Sequence, residues 1–383
     1  MTASASVSAP TLDVVAIGNA IVDVLARSDD AFLAEHALTK GGMQLIDADM
    51  AEALYADMPQ AKEISGGSAA NTLAGLAALG KTCGFIGQVN DDQLGTVFAH
   101  DVRALGIRFD TPAMTGDVPT ARCLILVTPD AQRTMNTFLG ASQSLPEAAL
   151  DLDMIRSAGI LYLEGYLWDP QQPRAAMRAA IDAARGAGRK VAFTLSDNFV
   201  IDRHRADFLD LIDHGQIDIL FSNEGEIQSL AQIDDFDKAV ATMAAKVPVL
   251  VSTRSEKGAV AIVDGMRYEA PAAPVAQIID TTGAGDLFAA GFLAAHIDGR
   301  SVADCLALGA AAAAGEAAAI EVLKLDELLE SLHRLDARAA QIVELRYFGG
   351  YTEGEVAALL GISESTLRRD WRRARAFLLK ETA

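Results

Sequence analysis

Short apolar runs alternate with stretches of helical periodicity along most of this chain. Val14-Val15-Ala16-Ile17, closed by Gly18, predicts a strand buried on both faces. Gly159 to Leu163, Val191 to Leu195, Ile217 to Phe221 and Val247 to Val251 predict further strands of the same kind. Between them, Ala-rich amphipathic stretches such as Pro173 to Gly186 and Phe236 to Lys246 predict helices. Strands and helices in this alternation predict βαβ units and a mostly parallel sheet. Two regions break the rhythm. Residues 20–47 and 108–139 are more alternating and turn-punctuated, which predicts strands outside the main sheet, as in a lid. Beyond Ile320 the texture changes again: residues 325–379 read as helix upon helix with no strand candidate. No fixed-period repeat is visible.

Charge sharpens that division. The 383 residues carry 32 Lys and Arg against 52 Asp and Glu, a net charge of −20. Such acidity argues against a nucleic-acid binder that uses its whole surface. The acidity is uneven, however. Residues 321–383 hold 10 basic and 11 acidic side chains, whereas residues 1–320 hold 22 and 41. Six of the tail's basic residues (Arg368, Arg369, Arg372, Arg373, Arg375, Lys380) crowd into 368–380 beside the one acid, Asp370. Cys83, Cys123 and Cys305 are far apart and read as reduced core thiols. Met1 to Pro10 lacks the basic flank and apolar run of a signal peptide, and the Ala-rich stretch 307–320 is too short and interrupted to span a membrane. That stretch is expected to be a buried helix, in a cytoplasmic protein with no membrane partner.

The most informative segment is Asp280-Thr281-Thr282-Gly283-Ala284-Gly285-Asp286, followed by an apolar helical run from Leu287 to His296. Small residues ahead of a helix let backbone N–H groups approach an anion, and the helix dipole favours negative charge there. Gly283, Ala284 and Gly285 are therefore candidates for an anion hole. Asp286 is a candidate base for a hydroxyl that attacks a phosphoryl group. The plain alternative is a glycine turn with Asp286 as helix cap.

This segment resembles the signature of the PfkB carbohydrate kinases, the ribokinase-like sugar and nucleoside kinases, and other segments follow in that family's order. Gly18-Asn19-Ala20-Ile21-Val22-Asp23 ends the first strand where the family places an Asp for substrate hydroxyls. Gly66-Gly67-Ser68-Ala69-Ala70-Asn71 resembles the N-terminal glycine motif, which implies substrate binding by Gly66, Gly67, Ser68 and Asn71. Asn223-Glu224-Gly225-Glu226 matches the NxxE element, in which Asn223 and Glu226 would organise Mg²⁺, water and phosphates, Glu226 acting on the metal through water. Thr253 to Gly258 resembles the TxGxxG nucleotide loop, with Ser255 in place of the middle glycine. Each residue keeps a structural alternative: Asp23 as a turn cap, Asn71 as a helix cap, Glu226 on a solvated helix face. Arg133 is a candidate substrate contact from the lid, or a surface ion pair. Lys40-Gly41-Gly42-Met43 is similar to bacterial members described as adenosine kinase-like or as general sugar kinases. The resemblance stops near Ala314, where the family's closing segment beside the adenine pocket is replaced.

In the tail, Thr352 and Glu355 have capping-box spacing. Ala357, Gly361 and Leu367 occupy the small, turn and apolar positions of a helix-turn-helix, whose second helix carries the arginines outward. From Leu335 to Arg375 the tail resembles region four of extracytoplasmic-function sigma factors, which implies Arg368, Arg369 and Arg372 as DNA contacts, with promoter DNA and RNA polymerase as partners. The alternative is a basic amphipathic helix packed on the body. Region two of a sigma factor has no match.

Together these readings lead to an expected α/β fold: a ribokinase-like three-layer α/β/α body over 1–320 with a mostly parallel sheet and a small β lid, then an all-α helix-turn-helix domain over 321–383. The expected activity is transfer of a phosphoryl group from ATP, with Mg²⁺ and room for a monovalent cation, to the hydroxymethyl group of a sugar or nucleoside. The lid is the candidate surface for a homodimer. Two alternatives stand beside this: a transcription regulator whose body senses a metabolite without turnover, and an artificial join near residues 315–325.

Overall fold

The computed structural model describes residues 10–130, 132–273, 283–317, 332–343, 345 and 353–381. A nine-stranded sheet organises the body. In chain order its strands are β1 (Leu12–Ile17), β5 (Cys83–Ile86), β6 (Arg108–Phe109), β9 (Ala158–Glu164), β10 (Lys190–Thr194), β11 (Ile219–Asn223), β12 (Val249–Thr253), β13 (Ala259–Val263) and β14 (Met266–Ala270). Their spatial order is β14-β13-β12-β11-β10-β9-β1-β5-β6. All neighbours run parallel except the β12–β13 and β13–β14 pairs, which form an antiparallel edge.

The continuous apolar runs follow from cover on both faces. Val14 and Ala16 of β1 pack into one core and Val15 and Ile17 into another. The first core also takes helices α3 (Ser68–Ala78), α4 (Gln93–Ala104), α10 (Ala284–Ile297) and α11 (Val302–Ala317). The second takes α5 (Leu152–Ser157), α6 (Gln171–Gly186), α7 (Asn198–Asp213), α8 (Glu224–Ala231) and α9 (Phe236–Ala244). This is the expected three-layer arrangement. Helix α11 is only partly buried: Cys305, Leu306 and Gly309 face inward, while Ala307 and Ala311 are exposed.

A second, five-stranded sheet stands beside the first. It is built from β2 (Ile21–Arg27), β3 (Met43–Leu45), β4 (Ala61–Gly66), β7 (Ala121–Val127) and β8 (Arg133–Phe138), in the order β3-β8-β7-β2-β4. Two short helices, α1 (Asp30–Glu35) and α2 (Ala48–Asp57), accompany it. Arg108-Phe109, expected outside the main sheet, instead pairs on its edge with Gly84-Phe85. Ala61–Gly66 joins the small sheet although its Ala-Lys-Glu-Ile-Ser-Gly sequence lacks a clean period-two pattern. Asp23 lies within β2, beyond the end of β1, because the chain turns at Gly18–Ala20 and re-enters as a strand of the small sheet.

Where the two sheets meet sits one carboxylate with no exposed surface, Glu164 at the end of β9. Its Oε1 accepts from the backbone N of Asn19 at 2.7 Å and from Asn19 Nδ2 at 2.6 Å, and its Oε2 accepts from the backbone N of Ala69 at 2.8 Å. The strand β9, the turn leaving β1 and the first turn of α3 are thus tied to one group. Burial pushes its carboxyl above the usual range and the three donors pull against that.

The tail forms α12 (Ala337–Val343), α13 (Glu353–Leu359) and α14 (Glu364–Glu381). Among the described residues, its buried side chains make two small clusters that contain tail residues alone.

Glu164→Ala would strand three donors in the interior, each of which costs about 1–3 kcal/mol when unsatisfied. The expected outcome is a fall of at least about 3 kcal/mol in urea-unfolding stability, and an unchanged midpoint would refute this account of the sheet junction.

Candidate active site

The substrate-side motif is shaped by a glycine that cannot be replaced. Gly67 caps α3 with φ = 98°, and a Cβ there would be driven into the Asn19 carbonyl oxygen. It offers α3 no side-chain cap, so Glu164 supplies the acceptor for Ala69. Gly66, one residue earlier, lies flat against the Asp23 carboxylate, where a Cβ would overlap it. Asn71 sits inside α3, past the cap, and its backbone N donates to Gly67 O at 2.8 Å. Asp23, Gly66, Gly67, Ser68 and Asn71 are therefore contiguous, and neither Asp23 nor Asn71 is a cap.

A second helix N-terminus faces this group. Gly283 caps α10 in the left-handed region, again without a side-chain cap. The first helical bond made there is Leu287 N to Gly283 O at 2.9 Å, which leaves the amides of Ala284, Gly285 and Asp286 ahead of the helix's own ladder. Gly285 is exposed, and a Cβ placed on it would meet nothing within 4 Å. A Cβ on Gly283 would lie 3.9 Å from Asn71 Nδ2 and 4.0 Å from Asp286 Oδ2. Ser68 Oγ donates to Asp286 Oδ1 at 2.6 Å, across 218 residues of sequence. Asp286 is half-buried in the first turn of α10 and is not its cap. Asp280, Thr281 and Thr282 lie outside the described residues.

The third and fourth motifs share the same edge of the sheet. Asn223 ends β11 in register with Thr253, which ends β12. Asn223 and Glu226 form a reciprocal capping box at the start of α8: Glu226 N donates to Asn223 Oδ1 at 2.8 Å, and Asn223 N donates to Glu226 Oε2 at 2.9 Å. Asn223 Nδ2 adds a bond of 2.6 Å to Glu226 Oε1. Glu226 is buried and not on a solvated face. In the nucleotide-loop motif, Ser255 takes φ = 51°, the left-handed conformation that a glycine adopts without strain. Gly258 has φ = 86°, and a Cβ on it would run into the Ala270 carbonyl. Glu224 braces the loop, pairing with Arg254 at 3.1 Å and Lys257 at 3.3 Å.

Electrostatics join these parts. Burial pushes Asp23 up to about 7, with Arg133 of the small sheet pulling the other way. Burial also pushes Glu226 up to about 7 while Asn223 opposes it, and the Asp197 carboxylate adds to the rise. Tyr166, just past Glu164, is exposed as a residue, yet partial desolvation of its phenol and the charges of Asp197, Glu226, Asp286 and Glu164 hold it above the usual range, so one ring senses both halves of the site. Among the described residues no group of three or more His, Cys, Asp or Glu is placed to hold a metal ion directly. The uncapped amides at Ala284 to Asp286 fit an anion.

Sequence reasoning missed Glu164, Asn19 as its partner, Ser142, which donates to Asn19 Oδ1 at 2.8 Å, and Asp197. A usable signal existed for Glu164: an acid closing an otherwise apolar strand, at the carboxyl end of a parallel sheet where α/β ligand sites gather.

In the tail, Gly361 has φ = 63° between α13 and α14, and Val356, Ala357 and Leu367 are buried with Ile342. Trp371 packs against both tail clusters. Arg368 and Arg369 are exposed. Arg369 Nε leans on the buried Asp370 at 3.2 Å, while Arg338 grips that carboxylate through two nitrogens at 2.9 and 2.7 Å. The side chain of Arg372, Thr352 and the side chain of Glu355 lie outside the described residues.

Comparison with known proteins matches residues 13–319 to the pfkB family carbohydrate kinases and residues 301–383 to the ECF sigma factors. The adenosine kinase of Sinorhizobium meliloti superposes with a TM-score of 0.73 at 47% identity, covering 79% of this chain and 92% of that one. A probable sugar kinase from Rhizobium etli CFN 42 gives 0.74 at 46%, covering 80% and 92%. Among curated relatives, the ribokinase of Arabidopsis thaliana is 29% identical over 266 residues, which span 65% of this chain and 66% of that protein. No helix among the described residues is long and apolar enough to cross a membrane.

The raised carboxyl of Asp23 has a consequence for stability. A folded state that holds this proton up to about 7 binds more protons than the unfolded chain between about pH 4 and 7, so stability falls as pH rises through that window. Asp23→Asn removes the buried charge. The variant is expected to be more stable than wild type at pH 8, on the order of 1–3 kcal/mol, with the difference closing by pH 4. Urea titrations at the two pH values measure this, and a pH-independent difference would contradict it.

Proposed function

The chain belongs to the pfkB family of carbohydrate kinases, and from that premise we propose that it transfers the γ-phosphoryl group of ATP to the hydroxymethyl group of a sugar or nucleoside. The observation that carries this reading is the bond from Ser68 to Asp286, which brings the N-terminus of α10 to the motif in which Gly66 lies against Asp23 and Asn71 stands near Gly283. A hydroxyl bound by Asp23 and Asn71 would face a base and an anion hole at once. Asp286 takes the hydroxyl proton as the new O–P bond forms, and the bond between the γ-phosphorus and its bridging oxygen breaks to release ADP. The amides of Gly283 to Asp286 receive the charge carried by the phosphoryl oxygens. Thr253 and Gly258 shape the nucleotide loop, and Asn223 with Glu226 stands where phosphates and their metal-bound water would be organised. Mg²⁺ arriving with ATP supplies charge neutralisation.

Similarity to an adenosine kinase and to a probable sugar kinase supports both substrate classes. A panel of nucleosides, pentoses and hexoses assayed by ATP consumption and product phosphorus NMR tests the reading. Turnover is expected with at least one acceptor, and Asp286→Asn is expected to lower it by about a thousand-fold or more, in the range that loss of base and charge placement gives. Turnover undiminished in Asp286→Asn would remove Asp286 from the mechanism.

The tail carries a second part of the proposal: residues 321–383 bind duplex DNA through Arg368, Arg369 and Arg372. The match to ECF sigma factors and the exposed arginines on α14 support it. Affinity of the full chain for duplex DNA should fall with salt, and replacing Arg368 by Ala should weaken binding and reduce the slope of log K against log salt by about one. A salt-independent affinity would defeat the proposal.

A further inference from the structure

Ser68 entered as a substrate contact, yet its hydroxyl is already committed. Oγ donates to Asp286 Oδ1 at 2.6 Å, the short distance of a hydroxyl on an ionised carboxylate. Ser68 is the first residue of α3, immediately after Gly67, whose backbone is fixed by its approach to Asn19. The next residue, Ala69, is anchored through its amide to Glu164. The serine therefore projects from a backbone held on both sides. Asp286, by contrast, sits in the first turn of a helix that begins at a glycine in the left-handed region with no side-chain cap.

We propose that Ser68 is the positioning residue for Asp286: its hydroxyl, donated to Oδ1, fixes the carboxylate rotamer in which Asp286 meets the acceptor hydroxyl. This rests on the kinase reading above. The hydroxyl can donate to either form of Asp286, and the bond is stronger to the ionised carboxylate than to the neutral acid. Ser68 thereby favours the form of Asp286 that accepts a proton, and it works without touching substrate. The approach of α3 to α10 continues below this bond, where Gly75 lies against Leu287 and Ala290, so the two helix starts are held at a set spacing.

Removal of the hydroxyl should raise the affinity of Asp286 for its proton. In Ser68→Ala the acid limb of the kcat–pH profile is expected to move up by about one pH unit, the scale of one hydrogen bond to a charged group. The rate at neutral pH should fall about ten-fold with KM for the acceptor little changed, and Ser68→Thr should restore both. A rise confined to acceptor KM, with the acid limb in place, would overturn the inference and return Ser68 to substrate binding. A second measurement does not depend on turnover. The Asp286 side-chain carbon, labelled with carbon-13 and identified by its loss in Asp286→Asn, is titrated by NMR in wild type and in Ser68→Ala. An upward shift in Ser68→Ala supports the positioning even if no acceptor is turned over, in which case the kinase reading alone fails. Identical titrations overturn the positioning whatever the activity.

Discussion

Everything at this site hangs from one buried carboxyl group. A carboxylate without exposed surface is unfavourable unless its oxygens are fully employed, and Glu164 is employed three times, by the turn after β1 and by the first turn of α3. That geometry decides where the chain can go next. Asn19 is held, so the chain must leave β1 toward the small sheet, where Asp23 follows in β2. Ala69 is held, so α3 must start at the sheet's carboxyl edge, where Gly67 can pass close to the Asn19 carbonyl. A hydrophobic group of the same size could fill the space, and it would leave both amides without an acceptor.

The second organising feature is that two helices, α3 and α10, begin at glycines and have no side-chain caps. Neighbouring helices cap themselves: Asp92 accepts from Gly95, Asp197 from Phe199, Asn223 from Glu226 and Asp235 from Lys238. A side-chain cap satisfies the orphan amides internally and closes the end of the helix to a ligand. At α3 the amide of Ala69 is given to the protein through Glu164, whereas α10 begins at Gly283 with no side-chain cap.

Much of this was legible in the residues. The both-sides-buried strands were readable as continuous apolar runs, because a parallel sheet covered by helices leaves no polar face to alternate with. The glycine motifs were readable because Gly67, Gly258 and Gly283 occupy backbone conformations or close approaches that other residues resist. What escaped was set by pairing over long sequence distances. Ala61–Gly66 is a strand because Ile21–Ala26 lies beside it, and Glu226 is buried because α8 packs its first turn onto the sheet; neither fact has a local period. The Ser68–Asp286 bond spans 218 residues and leaves no trace in either segment alone. Ser255 marks the opposite case, in which a departure from the expected glycine was visible in sequence while the backbone kept the glycine's conformation.

Helix α11 is where the two halves of the chain meet in sequence, since the kinase match ends at 319 and the sigma match begins at 301. Packing says which half fixes it. Gly291 of α10 lies so close to the Leu308 carbonyl, and Gly309 of α11 so close to Phe288, that each position tolerates only hydrogen in place of a side chain. Cys305 and Leu306 complete the contact with the first core. The outward side holds alanines at 303, 307 and 311, which have high helix propensity and impose little of their own. An alanine-rich helix satisfies almost any helical pattern, so the overlap at 301–319 carries less information than Val356, Ala357, Gly361 and Leu367, whose burial and turn geometry are specific to a helix-turn-helix. The charge follows the same line: the acidic surplus lies before residue 321, and the arginines of α14 belong to an element packed, among the described residues, against other tail residues. The acidity of the body and the arginine cluster of the tail are therefore separate properties of one chain, each subject to screening by salt.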